Sequence, residues 1–412
     1  MNAADPILRM PSHGGGRAAS ALEKQLSSIY ARASLLEAAS AEQMTAEVSR
    51  HRPIVLYGAG PLAQMTLVHL RRLGIEPIAV VDSNQTRWGT AFDGIQILSP
   101  GDAVARYAGS ARFVVTIYNG SAVRRQLREM GCESVVHFAD LYFEHPGECL
   151  PYCGLANRNA VLDSWEEVVK ASRVWHDQRS VEEYVSQLAW RLRLPESEMP
   201  PHDAPAECYF PNGLYEFLSK EIVFDCGAFD GDSLRQYLAR RPAGAKSRVL
   251  AFEPDADSFV RLKEFVNRLP KAIAAGVRAE PWAVAETSGQ VPFSALGSVR
   301  SGVADSGGCM VAAVAIDDIG VIPTLIKMDV EGFELSALKG AASVLRRHLP
   351  VLAISLYHHA SDLWTIPNFL KSLAPDYRLF LRRYAEDCWE LVLYAVPASR
   401  LIDGGATSAG MT

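Results

Sequence analysis

A chain of 412 residues exceeds what one ordinary hydrophobic core supports, so length alone points to two domains joined by connecting segments. With 49% hydrophobic residues, 21% charged residues and a formal net charge of -6, the composition fits a folded globular protein and excludes a disordered one. Mild acidity also argues against a nucleic-acid partner, which selects for clustered Lys and Arg, and favours a small-molecule substrate. No apolar run approaches the roughly 18 residues that span a bilayer, so no membrane association is expected. Met1 to Ser20 lack the apolar stretch of a secretory signal. Seven scattered cysteines read as reduced thiols, and a cytoplasmic location is expected. His145, Cys149 and Cys153 stand four apart, but they lack the close-set pair and full ligand set of common zinc motifs.

In chain order, residues 1–50 are expected to be a flexible N-terminus and an amphipathic helix. Ser20-Ala21-Leu22-Glu23 has the form of a capping box, and Leu22, Leu26 and Ile29 follow at helical spacing. Such a helix covers a core or mediates pairing, which makes a homodimer one expected assembly. Residues 51–145 alternate strand and helix patterns, with strands at Ile54–Tyr57, Ile78–Val81, Phe113–Thr116 and Ser134–Val136, which predicts a small Rossmann-like domain on a parallel sheet. Its turn, Gly58-Ala59-Gly60-Pro61, resembles a dinucleotide-binding turn, and Asp82 closes the second strand at a suitable distance. Taken alone, Gly58, Gly60 and Asp82 suggest an NAD-dependent oxidoreductase or a non-catalytic nucleotide-binding protein. Pro61, however, removes an N–H that would meet a phosphate, and no hydride-transfer dyad follows. The turn is similar to those of small domains preceding sugar-modifying enzymes, so a nucleotide, a nucleotide-sugar, or a purely structural or dimerising role are the readings it leaves open.

Residues 146–215 break the alternation with Pro-rich stretches around a helical pattern from Ser164 to Arg193, and read as a helical connector. The alternation then resumes over residues 216–397, and residues 398–412 form a Gly, Ser and Ala-rich tail expected to be disordered. Within the second domain, the strand Glu221–Phe224 runs into Asp225-Cys226-Gly227-Ala228-Phe229-Asp230-Gly231-Asp232 and a helix from about Ser233. Glycines there let backbone approach a ligand, and the helix terminus offers unpaired N–H groups. The next strand, Arg248–Phe252, delivers Glu253 to the sheet edge where a ribose diol would lie; the alternative is that Glu253 caps the helix from about Asp257. Pro281-Trp282-Ala283-Val284-Ala285-Glu286 reads as a third strand end, with Trp282 either flanking a flat base or filling the core. Leu325–Met328 leads into Asp329-Val330-Glu331-Gly332-Phe333-Glu334 and a helix through Leu345, with Glu334 the residue best placed to serve the helix amino terminus.

The segments FDCGAFDGD, AFEPD, PWAVAE, LIKMDVEGFELSALKGA and ELVLYAVP resemble the FkbM family of methyltransferases over about residues 216 to 397. The resemblance implies an α/β fold with a seven-stranded doubly wound, Rossmann-like sheet and S-adenosylmethionine as cofactor. It places Asp225, Gly227 and Gly231 around the cofactor's amino-acid end and Glu253 at its ribose, with Ala228, Trp282 and Ala283 as further cofactor-binding candidates. Ala228 stands where many methyltransferases outside this family have Gly. Family members methylate hydroxyls, so O-methylation of a sugar or secondary-metabolite-like small molecule is the implied activity. For removal of the acceptor's proton the candidates are Asp329 and His358, which follows the apolar strand Val351–Tyr357; a near-neutral histidine suits that task, and a hydrogen-bonded structural role for His358 or His359 is the alternative. Asp329 with Glu331 offers two oxygen ligands for a divalent cation, which is thin support for a metal.

Overall fold

The computed structural model describes residues 16–43, 52–144, 155, 158–194, 199–294, 302–303 and 309–402. The chain divides into two compact units, 1–165 with 185–199 and 166–184 with 200–412. No helix among the described residues is long and apolar enough to cross a membrane.

The first unit carries a six-stranded sheet of order β3-β4-β2-β1-β5-β6, formed by β1 (Ile54–Tyr57), β2 (Ala79–Val81), β3 (Ala91–Phe92), β4 (Ile95–Leu98), β5 (Arg112–Val115) and β6 (Ser134–His137). All neighbours are parallel except the β3–β4 hairpin, which the sequence reading passed over. Its Asp93-Gly94 turn, with both residues at positive φ, is a recognisable hairpin signal, but a two-residue strand shows no period. The N-terminal helix runs Gly16–Gln43, so Ser20 lies inside its first turns and does not cap it, and Leu26, Ile29 and Ala33 form its buried stripe. His145, Cys149 and Cys153 fall outside the described residues.

The second unit holds the seven-stranded sheet. Its members are β7 (Ile222–Cys226), β8 (Arg248–Phe252), β9 (Val277–Glu280), β14 (Leu325–Met328), β15 (Val351–Ser355), β16 (Arg378–Arg383) and β17 (Leu391–Val396). They lie in the order β16-β17-β15-β14-β7-β8-β9, with β15 to β9 parallel and β16 and β17 antiparallel. Central strands buried on both faces read as continuous apolar runs, and β14, β15 and β17 are buried at every position. A separate four-stranded sheet, β10-β13-β11-β12, comprises β10 (Ala283–Val284), β11 (Gly289–Ser294), β12 (Gly302–Val303) and β13 (Cys309–Val314). The third strand of the large sheet is therefore Val277–Glu280, and Trp282-Ala283 lies beyond it where the chain crosses to the small sheet.

Three further details differ from the sequence reading. The helix after the Asp329 turn is two helices, Glu334–Lys339 and Ala342–His348, broken at Gly340, where a Cβ would come within 2.2 Å of the Ala285 carbonyl oxygen. Residues 398–402 are ordered: Ala398–Arg400 makes a 3-10 turn, and buried Arg400 pairs with Glu221 at 2.9 Å. Residues 166–184 lie in the second unit, where Asp177 pairs with Arg382, and Glu183 with Arg383 at 2.8 Å.

Candidate functional site

The parallel strands β7, β8 and β14 end side by side, and their following turns build the site. After β7 the chain turns through Gly227 at φ +78°, Phe229 at +46° and Gly231 at +90° into the helix Asp232–Arg240. A Cβ on Gly227 would lie 1.8 Å from the Asp329 carbonyl oxygen, and one on Gly231 would lie 2.5 Å from Phe265. Packing against protein thus requires both glycines, whatever else the turn binds. Ala228 is fully buried.

Asp225 and Glu253 are both buried at this edge. Ser233 Oγ donates to Asp225 Oδ2 at 2.7 Å, and Asp225 Oδ1 accepts no hydrogen bond although Lys327 Nζ stands 3.4 Å away. Glu253 accepts the backbone N–H groups of Phe229 and Asp255, each at 2.8 Å, and so ties the β7 turn to the end of β8. Burial lifts its pKa to about 7, against the lowering effect of those two amides. Asp255, not Glu253, caps the next helix by accepting Ser258 N–H at 2.9 Å. Trp282 is half-buried just past β9 and Ala283 is buried.

Sequence reasoning missed Lys327. Its ammonium is buried, donates to the Gly227 carbonyl at 2.5 Å and lies 5.2 Å from the Tyr209 ring centroid. Burial disfavours its charge, but Asp225 and Asp329 outweigh that and raise its pKa. The available signal was a lysine in an otherwise apolar strand.

The ends of β14 and β15 bring Asp329 and His358 together, His358 Nε2 standing 3.4 Å from Asp329 Oδ1. Asp329 also accepts from Tyr209 at 2.9 Å and from Tyr357 at 3.3 Å. Burial would raise the Asp329 pKa, but His358, Lys327 and the hydroxyls of Tyr209 and Ser355 together lower it. Burial holds the Tyr209 and Tyr357 phenols well above their usual range, reinforced by Asp329, so both keep an O–H to present. His358 faces three carboxylates: Glu334 at 2.9 Å from Nδ1, and Asp329 and Glu331 each at 3.4 Å from Nε2. Burial opposes a charged ring there, yet Glu334, Asp329 and Glu331 raise its pKa well above the usual value. Among the protein's own charges the imidazolium is favoured, so the expectation of a near-neutral base does not match these surroundings. Glu334, completely buried, also accepts Val330 N–H at 2.9 Å, which braces the β14 turn instead of leaving the carboxylate to the helix terminus alone.

In the first unit, Gly58 has φ +112° and its missing side chain faces Thr116 O at 3.0 Å, while the space beside Gly60 is open. Asp82 Oδ2 accepts Ala59 N–H at 3.2 Å, and Arg87 donates to both Asp82 at 3.2 Å and the Ala59 carbonyl at 2.7 Å. The acidic residue therefore closes over the glycine turn.

Five parallel strands with an antiparallel pair at one edge, and carboxylates at the ends of β8 and β14, define the Rossmann-like fold class of α/β methyltransferases. Residues 225–388 match the family model described as Methyltransferase FkbM domain, and this chain carries that domain. The crystal structure of methyltransferase FkbM from Methylobacillus flagellatus is similar over 92% of this chain and 100% of that one, at 25% identity and a TM-score of 0.72. Hexuronic acid methyltransferase AglP of Haloferax volcanii is 31% identical over 109 residues, 24% of this chain and 44% of that relative, so the match spans less than half of its length.

Proposed function

We propose that the protein is an S-adenosylmethionine-dependent O-methyltransferase acting on a hydroxyl of a sugar-like small molecule. The observation that carries this reading is the packing of the Asp329 carbonyl against Gly227, which fixes the candidate proton acceptor beside the candidate cofactor turn. The residues present fit the cofactor. Asp225 Oδ1 is a buried oxygen without a hydrogen bond, suited to an ammonium donor, and each Glu253 oxygen accepts one amide and keeps a lone pair for a ribose hydroxyl. Trp282, half-buried just beyond β9, is the candidate to flank the base. The bound cofactor supplies an electrophilic methyl group.

The protein's work is positioning and proton removal. Asp329 accepts the acceptor's hydroxyl proton at its carboxylate, oriented by Tyr209 and Tyr357. His358, gripped by Glu334, helps hold that carboxylate in place. The name of the haloarchaeal relative, a hexuronic acid methyltransferase, supports a sugar acid as the acceptor class. Calorimetry on the whole chain with S-adenosylmethionine and with NAD tests the cofactor, and mass spectrometry of small molecules retained on purification checks it independently. Binding of S-adenosylmethionine alone is expected; binding of NAD alone would overturn the assignment.

A further inference from the structure

The cluster around His358 sets three carboxylates about one imidazole whose Nε2 makes no hydrogen bond. Asp329, Glu331 and Glu334 surround one imidazole, with a ligand atom from each of Asp329, Glu334 and His358 within 4.8 Å of one another. The His358 side chain is 5% exposed, and its Nε2, aimed between Asp329 Oδ1 and Glu331 Oε2 at 3.4 Å from each, makes no hydrogen bond. Glu334 Oε2 is likewise buried without a partner. Neighbouring ligand atoms about an ion with bonds of about 2.1 Å stand roughly 3.0–3.4 Å apart, which matches the 3.4 Å from His358 Nε2 to each of the Asp329 and Glu331 oxygens. We propose that His358 Nε2, Asp329 and Glu331 bind a divalent first-row transition cation, with Glu334 holding the ring through Nδ1.

Several features favour this assignment over a bare ion pair. The Nδ1 to Glu334 contact at 2.9 Å is the carboxylate–histidine arrangement that orients metal-bound imidazoles, and Val330 N–H fixes that carboxylate in turn. One nitrogen with carboxylate oxygens suits Mn²⁺ or Zn²⁺ better than Mg²⁺, which prefers oxygen alone. Binding exchanges the Nε2 proton for the cation, the proton going to solvent, and reduces the excess of negative charge that the three carboxylates create around the ring. Gly332 is required beside it, since a Cβ there would come within 2.4 Å of His359 Nε2. The inference rests on the proposed function only for its purpose, because a cation at Asp329 would acidify a hydroxyl brought to that carboxylate.

The test uses the whole chain, stripped with a chelator and titrated with Mn²⁺ under electron paramagnetic resonance, with metal content also measured on protein as purified. One tightly held Mn²⁺ per chain is expected. His358→Ala should abolish it, and Glu331→Gln, isosteric and at a partly exposed position, should weaken it at least about tenfold. Glu334→Gln should weaken it to a similar degree while leaving a bound-metal spectrum. Absence of stoichiometric binding by the unaltered protein, or equal binding by Glu331→Gln with its fold intact by circular dichroism, overturns the site. Calorimetry with S-adenosylmethionine on the same samples keeps the two readings apart: cofactor binding without metal binding removes only the cation.

Discussion

The Asp329 carbonyl oxygen occupies the place where a side chain on Gly227 would begin, 1.8 Å from an ideal Cβ. Neither partner can give way cheaply, because the oxygen is backbone, a Cβ is held rigidly by its own backbone, and Gly227 sits at φ +78°. Gly227→Ala should therefore cost about 3–5 kcal/mol of stability. Gly231→Ala meets the Phe265 ring instead, which can turn aside, and should cost about 1–3 kcal/mol. Urea unfolding of the two variants checks the order, and equal losses would show that the carbonyl is not the tighter constraint.

Lys327 and Asp225 form a buried pair at 3.4 Å, with Lys327 also holding the Gly227 carbonyl. Lys327→Met leaves Asp225 buried without its counter-charge and should destabilise by about 3–5 kcal/mol. Adding Asp225→Asn to that background should recover part of the loss, since the uncompensated charge goes with it. Chemical denaturation of the four proteins in a double-mutant cycle measures the coupling; strictly additive losses would mean that the two side chains do not stabilise each other.

Glu253 gives the cofactor site a pH dependence. Its folded pKa of about 7 is raised above the ordinary 4.5 by burial, opposed by the amides of Asp255 and Phe229 and by the Lys327 charge, and aided by Asp255. Because the folded value is the higher one, its contribution to stability is fully present below the ordinary value and is lost as pH rises through about 7. Ribose hydroxyls require the ionised carboxylate, so affinity for S-adenosylmethionine should move the other way and rise about tenfold between about pH 6 and 8. Calorimetry across that window should show the rise in the unaltered protein and a weak, flat profile in Glu253→Gln. A flat profile in the unaltered protein would remove Glu253 from the ribose site.

How far this arrangement could be read from the sequence follows from which contacts are local. Glu253 and Asp329 directly follow apolar strands, Asp225 is the penultimate residue of one and His358 stands three residues beyond another, so a strand pattern places them at one sheet edge without any knowledge of packing. Tyr209 lies 120 residues from Asp329, and no periodicity links them. Glu334 looked like a helix-terminus residue because its role toward His358 depends on β15 lying beside β14. The third strand escaped because β9 is an edge strand with Arg278 and Glu280 in it and only partial burial, whereas the neighbouring Ala283-Val284-Ala285 is apolar and buried but belongs elsewhere. In the first unit the glycine turn was plain, but not that Asp82 would bond to Ala59 and so close over it.

The two phenols on Asp329 should separate orientation from cofactor binding. Tyr209 donates a well-formed bond at 2.9 Å, while Tyr357 reaches both carboxylate oxygens only at 3.3 and 3.4 Å. A hydrogen bond to a charged group contributes about 1.5–3 kcal/mol, so Tyr209→Phe should lower kcat by about tenfold or more. Tyr357→Phe, losing a longer bond, should lower it by about two- to fivefold. Neither phenol bonds to Asp225 or Glu253, so affinity for S-adenosylmethionine should hold within about twofold. Asp329→Asn, which removes the proton acceptor itself, should lower kcat by about a hundredfold or more. These rates are measured by transfer of labelled methyl groups to a panel of sugar acids, with cofactor affinity taken from calorimetry on the same variants. If Tyr209→Phe lost cofactor affinity and kcat together, the phenol would be supporting the turn under Lys327 and not the carboxylate.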